Sequence, residues 1–277
     1  MTLPKKLATA EPPCGDALRM DAPLSTEELE QFRRAGFAVR PRFFPDAMMA
    51  AVRDEIEKGS NPAPYLKPGH GALISHPPLM EIVAQLCGPD FLFHHLNSYY
   101  QREGTAGVPW HNDYEQVLLP MPRTHANVIA LIYPQGLNGE VGDLVVVPGT
   151  QHALAAWEST AFLGTTRLPG EVVIDNVPPG TMVICHTGLL HCRRQRPGRG
   201  PRYFCDTSYV ARGPRWPATS QHDWRAMYAD CRRLGYDHGG RYAHLFDESQ
   251  FFDFFEAKAR MDALGQDNIY RLLLSSQ

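Results

Sequence analysis

The sequence predicts a mainly β fold with helices before and after the strands. Residues 91–210 contain short runs rich in β-branched and aromatic residues, and Pro, Gly, Asn and Asp separate these runs. Helical patterns precede and follow this stretch. Many short strands between turn signals favour a sandwich or barrel over alternating βαβ units. We expect a flexible tail at 1–22 and one domain at 23–277. Its parts are a helical segment at 23–90, a β core at 91–210 and C-terminal helices at 211–277.

Start and stop signals mark the N-terminal helices. Ser25 followed by Glu28 forms a capping box, and Gly36 ends the first helix. Apolar residues at helical spacing predict two further helices, over 46–58 and 78–87. This segment is therefore expected to contain three helices.

The predicted strands are short and bounded by turn residues. They cover 37–41, 91–101, 127–133, 143–148, 171–175, 181–186 and 202–210. Helical spacing from Trp224 to Leu234 predicts a C-terminal helix that ends at Gly235. A second C-terminal helix is predicted around four phenylalanines, Phe251, Phe252, Phe254 and Phe255.

Charge and composition exclude several classes of protein. The 277 residues include 27 Lys and Arg and 30 Asp and Glu, so the formal net charge is −3. That balance argues against broad electrostatic binding of nucleic acid. No apolar run approaches the roughly 18 residues of a membrane span, and no secretory signal is apparent. The six cysteines have no repeated spacing, which favours reduced thiols. We expect a cytoplasmic protein that binds neither nucleic acid nor membranes.

A His-x-Asp pair is the first candidate metal site. Residues two apart on an extended chain point to the same face, so one metal ion can reach both His111 and Asp113. His186 and His191 are the candidates for a third ligand. Two histidines and one carboxylate form the facial triad of non-haem Fe(II) oxygenases. Such pairs also arise by chance, so a surface pair without a metal and a core histidine at position 191 are alternatives.

One arginine that follows these histidines is a candidate for binding a carboxylate. Arg202 lies 11 residues after His191 and begins the last predicted strand of the β core. Its guanidinium can hold a carboxylate with two parallel hydrogen bonds. The competing arginines lie in a Pro- and Gly-rich loop and are expected to be solvated; they are Arg193, Arg194, Arg196 and Arg199. A zinc site built from Cys185, His186, His191 and Cys192 is a further alternative.

The order of these motifs resembles that of the phytanoyl-CoA dioxygenase family of Fe(II)- and 2-oxoglutarate-dependent oxygenases. Residues 24–39 are similar to the first helix and strand of that family, and Trp110-His-Asn-Asp113 to its proximal metal motif. Residues 143–152 and 180–191 resemble its valine-rich strand and its distal strand, and Arg202 matches its co-substrate arginine. The resemblance covers roughly residues 23–210.

This resemblance implies a fold, a ligand set and a reaction. The fold is a double-stranded β-helix, which is a cupin-like jelly roll. The metal ligands are His111, Asp113 and His191, with His186 excluded, and the metal is Fe(II). Arg202 pairs with the far carboxylate of 2-oxoglutarate, and O2 is the second co-substrate. The expected outcome is hydroxylation or another oxidation of a small molecule, with release of succinate and CO2.

The sequence also departs from the family pattern. Arg193 stands where a small hydroxyl residue often helps to hold 2-oxoglutarate, and Gln101 stands near a common basic position. Tyr99 and Gln101 are therefore candidate co-substrate contacts. Related halogenases lack the carboxylate found here at Asp113, so we expect hydroxylation or desaturation rather than halogenation. Two alternatives stay open: a non-catalytic jelly roll that binds a metal or small ligand, and a Zn-dependent jelly-roll enzyme. The substrate and the oligomeric state are not predicted.

Overall fold

Two antiparallel sheets form the framework of the protein. The computed structural model describes residues 22–59, 63–113, 127–152, 162–195, 198, 200–213, 215–219 and 223–253, with 256, 259 and 263. The strands are β1 (Phe37–Arg40), β2 (Leu92–Gln101), β3 (Val108–His111), β4 (Val128–Tyr133), β5 (Leu137–Asn138), β6 (Leu144–Val146), β7 (Val172–Ile174), β8 (Asn176–Val177), β9 (Thr181–His186), β10 (His191–Arg193), β11 (Arg202–Val210), β12 (Trp216–Pro217) and β13 (Phe251–Phe252).

The larger sheet has five strands in the order β1-β9-β4-β11-β2, and the smaller has four in the order β3-β10-β6-β7. Two short pairs, β5-β8 and β12-β13, complete the described sheets. The predicted mainly β fold with helical flanks is therefore correct. Two facing sheets, without a closed barrel among the described residues, are the arrangement of a jelly roll.

Strand β4 shows why the core has two halves. All six of its residues are buried. Ile129, Leu131 and Tyr133 belong to an apolar cluster that includes residues of β6 and β7, so this cluster fills the space between the sheets. Val128, Ala130 and Ile132 belong to a second cluster, which the helices share. A strand that is buried on both faces has a continuous apolar sequence, and the β4 sequence VIALIY is of this kind.

The helices cover the outer face of the large sheet. They are α1 (Thr26–Ala35), α2 (Asp46–Glu57), α3 (Pro68–Ile74), α4 (Pro77–Cys87) and α5 (Trp224–Arg233). Four of them were predicted, and the capping box of α1 is present, with the Ser25 hydroxyl accepting from the Glu28 amide. Short 3₁₀ turns lie at Pro64–Leu66, Thr150–His152, Ala243–Phe246 and Glu248–Gln250. Within the described segments, no helix has the length and apolar character needed to cross a membrane.

Helix α3 was not predicted because its sequence, PGHGALI, has two glycines and a weak intrinsic helix preference. A side chain from α2 supplies the missing cap. The Glu55 carboxylate accepts hydrogen bonds from the amides of Gly69 and His70, at 2.7 and 3.0 Å, and from the His70 ring at 2.6 Å. Leu73 and Ile74 are then fully buried. Tertiary contacts therefore decide this helix.

The helix predicted around four phenylalanines is wrong at its first two positions. Phe251 and Phe252 form β13, which pairs in parallel with β12. The Arg215 guanidinium donates to the Phe251 carbonyl at 2.6 Å, and the Ala218 amide donates to the Phe252 carbonyl at 2.8 Å. Aromatic residues favour strands when a partner strand is available. Phe254, Phe255 and the predicted tail up to residue 21 lie outside the described residues.

We predict that the turn before β9 tolerates no side chain at Gly180. Its φ of +75° is left-handed, and a Cβ there would lie 2.5 Å from the Phe44 carbonyl oxygen. Gly170 has the same φ with nothing within 4 Å of a Cβ, so it is the matched control. Gly170→Ala should lower the free energy of unfolding by about 1 kcal/mol. Gly180→Ala should cost about 2 kcal/mol more, measured by urea denaturation. Equal losses would contradict the role of the close backbone contact.

Candidate active site

The pairing of two short strands brings two histidines together. His111 ends β3 and His191 begins β10, and the two residues are direct partners in the antiparallel register. Partners in such a pair place their side chains on the same face. The two imidazole centroids are 4.2 Å apart. Asp113 follows two residues after His111, and its amide donates to the Thr187 carbonyl at 2.8 Å. This bond holds the carboxylate against the turn that leads into β10.

The three side chains converge on one point. His111 Nε2 lies 3.8 Å from Asp113 Oδ1, and His191 Nε2 lies 3.7 Å from Asp113 Oδ2. The three potential ligand atoms all lie within 4.8 Å of one another. The two nitrogen–oxygen distances are too long for hydrogen bonds. Asp113 Oδ2 is buried and has no hydrogen-bond partner among the described residues.

The other ring nitrogens fix the tautomers of both histidines. His111 Nδ1 lies 2.7 Å from the Pro109 carbonyl oxygen, and His191 Nδ1 lies 2.9 Å from the Leu189 carbonyl oxygen. A carbonyl only accepts, so each Nδ1 carries the proton. In the neutral imidazoles, Nε2 then has a lone pair on the side of Asp113. Two such nitrogens and a carboxylate form a set of acceptors that a divalent cation satisfies, and a backbone bond at Nδ1 is usual for metal-binding histidines.

His186 does not join this group. Its Nδ1 accepts a hydrogen bond from the Gly188 amide at 2.9 Å, inside the turn that follows β9. Burial lowers the pKa of His186 to about 4, so the ring is neutral. The neighbouring thiols are also unsuited to the alternative zinc site. Burial raises the pKa of Cys185, and raises that of Cys192 to about 12, so both are protonated apolar side chains.

Arg202 is buried at the start of β11 and lies opposite Gln101 of β2. Its Nη1 donates to Gln101 Oε1 at 2.6 Å. The guanidinium carbon lies 4.9 Å from the centre of the Phe204 ring and 5.3 Å from that of Tyr133. Burial lowers the pKa of Arg202, although the group stays a cation. Phe204, which is on the same strand as Arg202, also stacks on Tyr99 of β2, with the two ring centroids 5.7 Å apart.

The prediction that Arg193 and Arg194 are solvated is wrong. Arg193 ends β10 and points to the same face as His191, two residues earlier, so it is only 7% exposed. It donates to the Ala106 carbonyl. Arg194 forms a two-pronged ion pair with Glu171, at 2.9 and 2.6 Å. Arg196 and Arg199 lie outside the described residues.

Two buried guanidinium groups therefore lie close together. A Cβ on Gly142 would be 3.0 Å from Arg202 Cδ and 3.9 Å from Arg193 Nη1, so the glycine leaves room for both. The proximity of Arg202, added to burial, lowers the pKa of Arg193. Within the described part of the chain, the Nε of each arginine is buried without a hydrogen-bond partner. The adjacent carboxylate is Asp143, which is fully buried and accepts from the Arg194 amide at 2.7 Å.

One cavity of about 320 Å³ joins these groups. It is lined by the His111, Asp113 and His191 cluster, by the two arginines, and by Tyr99 and Gln101. It also contains polar residues that sequence reasoning missed; they are His94, His95, Asn97 and Asp206. The sequence signal that could have identified them is the alternation of polar residues along β2 and β11, because these two strands border an apolar core.

A model of the phytanoyl-CoA dioxygenase (PhyH) family matches residues 17–192. The chain belongs to this family. The resemblance stated from the sequence is therefore confirmed. No curated protein sequence gives a significant match.

Solved structures share the phytanoyl-CoA dioxygenase fold of this chain at low sequence identity. SnoK, a non-haem α-ketoglutarate-dependent carbocyclase from nogalamycin biosynthesis, is 21% identical over 68% of this chain and 84% of its own, with a TM-score of 0.53. EctD from S. alaskensis, solved with 2-oxoglutarate and 5-hydroxyectoine, is 18% identical over 69% and 77%, with a TM-score of 0.57. HygX from Streptomyces hygroscopicus, solved with nickel and 2-oxoglutarate, is 17% identical over 69% and 89%, with a TM-score of 0.58. These matches support the fold.

We predict that the His-Asp-His cluster is the divalent metal site. Asp113→Ala removes one of three ligand atoms and should weaken Fe(II) binding at least 100-fold, because losing even an outer partner costs about 10–100-fold. His191→Ala should act similarly. The measurement is anaerobic calorimetry of Fe(II) binding.

Two variants control this prediction. His186→Ala and Asp54→Ala should keep the native Fe(II) affinity, since Asp54 lies on the surface and pairs with Lys58. Native affinity in Asp113→Ala, or loss of binding in His186→Ala, would place the metal elsewhere.

Proposed function

We propose that this protein is an Fe(II)- and 2-oxoglutarate-dependent oxygenase that hydroxylates a small molecule, with release of succinate and CO2. The main support is one cavity that contains both a convergent acceptor triad and two buried arginines. The first group requires a cation, and the second requires an anion. Fe(II) and a dicarboxylic acid meet both requirements together, and family membership favours that pair.

The donor set suits ferrous iron. His111, Asp113 and His191 supply two imidazole nitrogens and one carboxylate, which leave coordination positions open on an octahedral ion. Bound Fe(II) would activate O2 for oxidation of the substrate as 2-oxoglutarate is decarboxylated. Asp113 provides a protein ligand at the position that related halogenases leave free for chloride, so we propose hydroxylation. The carbonyl bonds to both Nδ1 atoms keep the two rings oriented.

The arginines suit the far carboxylate of 2-oxoglutarate. Arg193 and Arg202 bring two positive charges, and Asp143 brings one negative charge, so one positive charge is uncompensated. A buried charge without a partner is costly, and a carboxylate ligand would remove that cost. Gln101 accepts from Nη1 of Arg202 and so orients its guanidinium. Arg193 would thus take over the role of the small hydroxyl residue that family members often have here.

The rest of the cavity suits a small organic substrate. Its volume of about 320 Å³ lies at the lower end of the range for ligand pockets. Apolar residues of the facing strands, such as Ile129, Leu131 and Leu144, form part of its wall and exclude water from the reacting groups. We propose that residues 23–277 form a single domain around this cavity.

The first functional prediction concerns co-substrate binding. Anaerobic addition of Fe(II) and then 2-oxoglutarate to the metal-free protein should produce the weak visible charge-transfer band of chelated 2-oxoglutarate. Arg202→Ala should require about 10–100-fold more 2-oxoglutarate for the same band, because it loses charge-assisted hydrogen bonds. Arg241→Ala, at an exposed position, is the control and should match the native protein.

The outcome separates the alternative functions. A band with measurable succinate formation supports the oxygenase. Iron binding without a band would favour a jelly roll that binds metal without 2-oxoglutarate chemistry. Oxygen-independent activity that survives replacement of iron by zinc would favour the Zn-dependent enzyme.

A second prediction isolates the role of Arg193. Arg193→Ser should weaken 2-oxoglutarate binding about tenfold, because one of two cations facing the far carboxylate is lost. Pyruvate has the same chelating group but no far carboxylate, so its affinity should change less than twofold. Titration of the charge-transfer band measures both acids. An equal loss for pyruvate would show that Arg193 acts on the fold or the metal instead.

A further inference from the structure

A second polar cluster lines the same cavity, farther along β2 and β11 from Arg202. Arg202, Phe204 and Asp206 alternate along β11, and each pairs with a residue of β2. With a rise of about 3.4 Å per residue, Asp206 lies about 14 Å along the strand from Arg202. Asp206 is opposite Asn97 in the register. It is therefore too far along the strand from Arg202 to share the carboxylate ligand of that arginine.

A chain of hydrogen bonds sets the protonation of this cluster. His94 Nε2 donates to the Pro217 carbonyl at 3.0 Å. Burial lowers the pKa of His94 to about 3, so this ring is neutral and its Nδ1 has a lone pair. His95 Nδ1 lies 2.9 Å from that nitrogen and must donate its proton to it. The remaining nitrogen of His95, Nε2, lies 3.1 Å from Asp206 Oδ1.

One proton must lie between His95 Nε2 and Asp206 Oδ1, since two lone pairs would otherwise face each other. The pair is uncharged as a whole wherever that proton resides, as imidazolium with carboxylate or as imidazole with carboxylic acid. Asn97 Nδ2 also donates to Oδ1, at 2.9 Å. Both bonds end on the same oxygen, so Oδ2 is an acceptor in either state. Asp206 lines the cavity but is itself only 5% exposed.

The surroundings extend this cluster towards the metal. Thr187 lines the same cavity, and its hydroxyl is buried without a hydrogen-bond partner among the described residues. Its carbonyl accepts from the Asp113 amide, so it lies beside the candidate metal ligands. Trp216 and Val210 are apolar residues of the same cavity lining. The cavity therefore has a polar cluster on β2 and β11, a second polar group beside the candidate metal ligands, and apolar residues in its lining.

We propose that Asp206, held by His95 and Asn97, is the substrate-binding residue of this cavity, and that its Oδ2 accepts a hydrogen bond from a hydroxyl group of an uncharged small molecule. The inference rests on the proposed oxygenase function, because the carbon to be oxidised must lie near His111, Asp113 and His191. An uncharged pair favours a hydroxyl over an ammonium group, which would need an unpaired carboxylate. A site built to bind a hydroxyl discriminates strongly against analogues that lack a donor.

Three probes with one ring test this inference. Cyclohexanol, cyclohexylammonium and cyclohexanone differ only in being a neutral donor, a charged donor and an acceptor. Their binding is measured by ligand-observed NMR on the native protein in the presence of Zn(II) and 2-oxoglutarate. Zn(II) replaces Fe(II) so that no turnover occurs during the measurement. Cyclohexanol should bind at least about tenfold more tightly than either other probe. Equal binding, preference for the ketone, preference for the ammonium, or absence of binding by all three would overturn the proposal.

A variant tests the residue itself. Asp206→Leu keeps the branched shape of the side chain and removes the acceptor, so it should abolish the preference for cyclohexanol. Asp54→Leu makes the same change on the exposed surface of α2 and should keep the preference. A preference that survives in Asp206→Leu overturns the assignment. The charge-transfer band with Fe(II) and 2-oxoglutarate should be unchanged in both variants, which shows that Asp206→Leu is folded.

The two proposals fail in different ways. Absence of that band in the native protein, with the cyclohexanol preference intact, would reject the oxygenase and leave the hydroxyl site. If Asp206→Leu alone loses the band, the variant is misfolded, and the preference of the native protein decides.

Discussion

The register between β3 and β10 is the constraint on which the site depends. A slip of one residue would turn His111 or His191 to the opposite face and separate it from the other side chains of the His-Asp-His cluster. The residues next to these two histidines hold the register. Trp110 is fully buried on the other face, where its indole donates to the Thr166 carbonyl at 2.7 Å. Cys192 joins the same apolar cluster as Trp110. Apolar packing on one face of these strands thus positions the polar chemistry on the other.

The interior is organised around polar groups that the described protein leaves without partners. Asp113 Oδ2, Thr187 Oγ1 and the Nε atoms of Arg193 and Arg202 are all buried and unpaired. Each such atom costs about 1–3 kcal/mol of stability. All four of these residues line the same cavity, so ligands bound there would supply the missing interactions. The same cost explains why Arg194, which has no such role, is fully paired with Glu171.

The sequence predicted most strands of the two sheets and four of the helices, but it missed β3 and β10. The strands at β2, β4, β9 and β11 and four helices follow from apolar periodicity, and the order of motifs was enough to identify the family. Strands β3 and β10, which hold His111 and His191, were missed because their sequences, VPWH and HCR, lack the apolar β-branched run that marks the other short strands. Arg193 was misread because its loop-like sequence conceals the alternation that makes it the inward neighbour of His191. Helix α3 depends on Glu55, which is distant in sequence from the glycines it caps.

Strand β11 contributes both Arg202 and Asp206 to the cavity. Arg202 and Asp206 are both on its inner face, and pairing with β2 on one side and β4 on the other fixes their separation. The proposed co-substrate anchor and the proposed hydroxyl site therefore cannot move independently. A substrate hydroxyl held at Asp206 would lie at a set distance from the candidate metal ligands. The carbon atom that is oxidised would therefore be the one whose distance from that hydroxyl matches this separation. In such a cavity the backbone ladder, rather than flexible side chains, decides the site of oxidation.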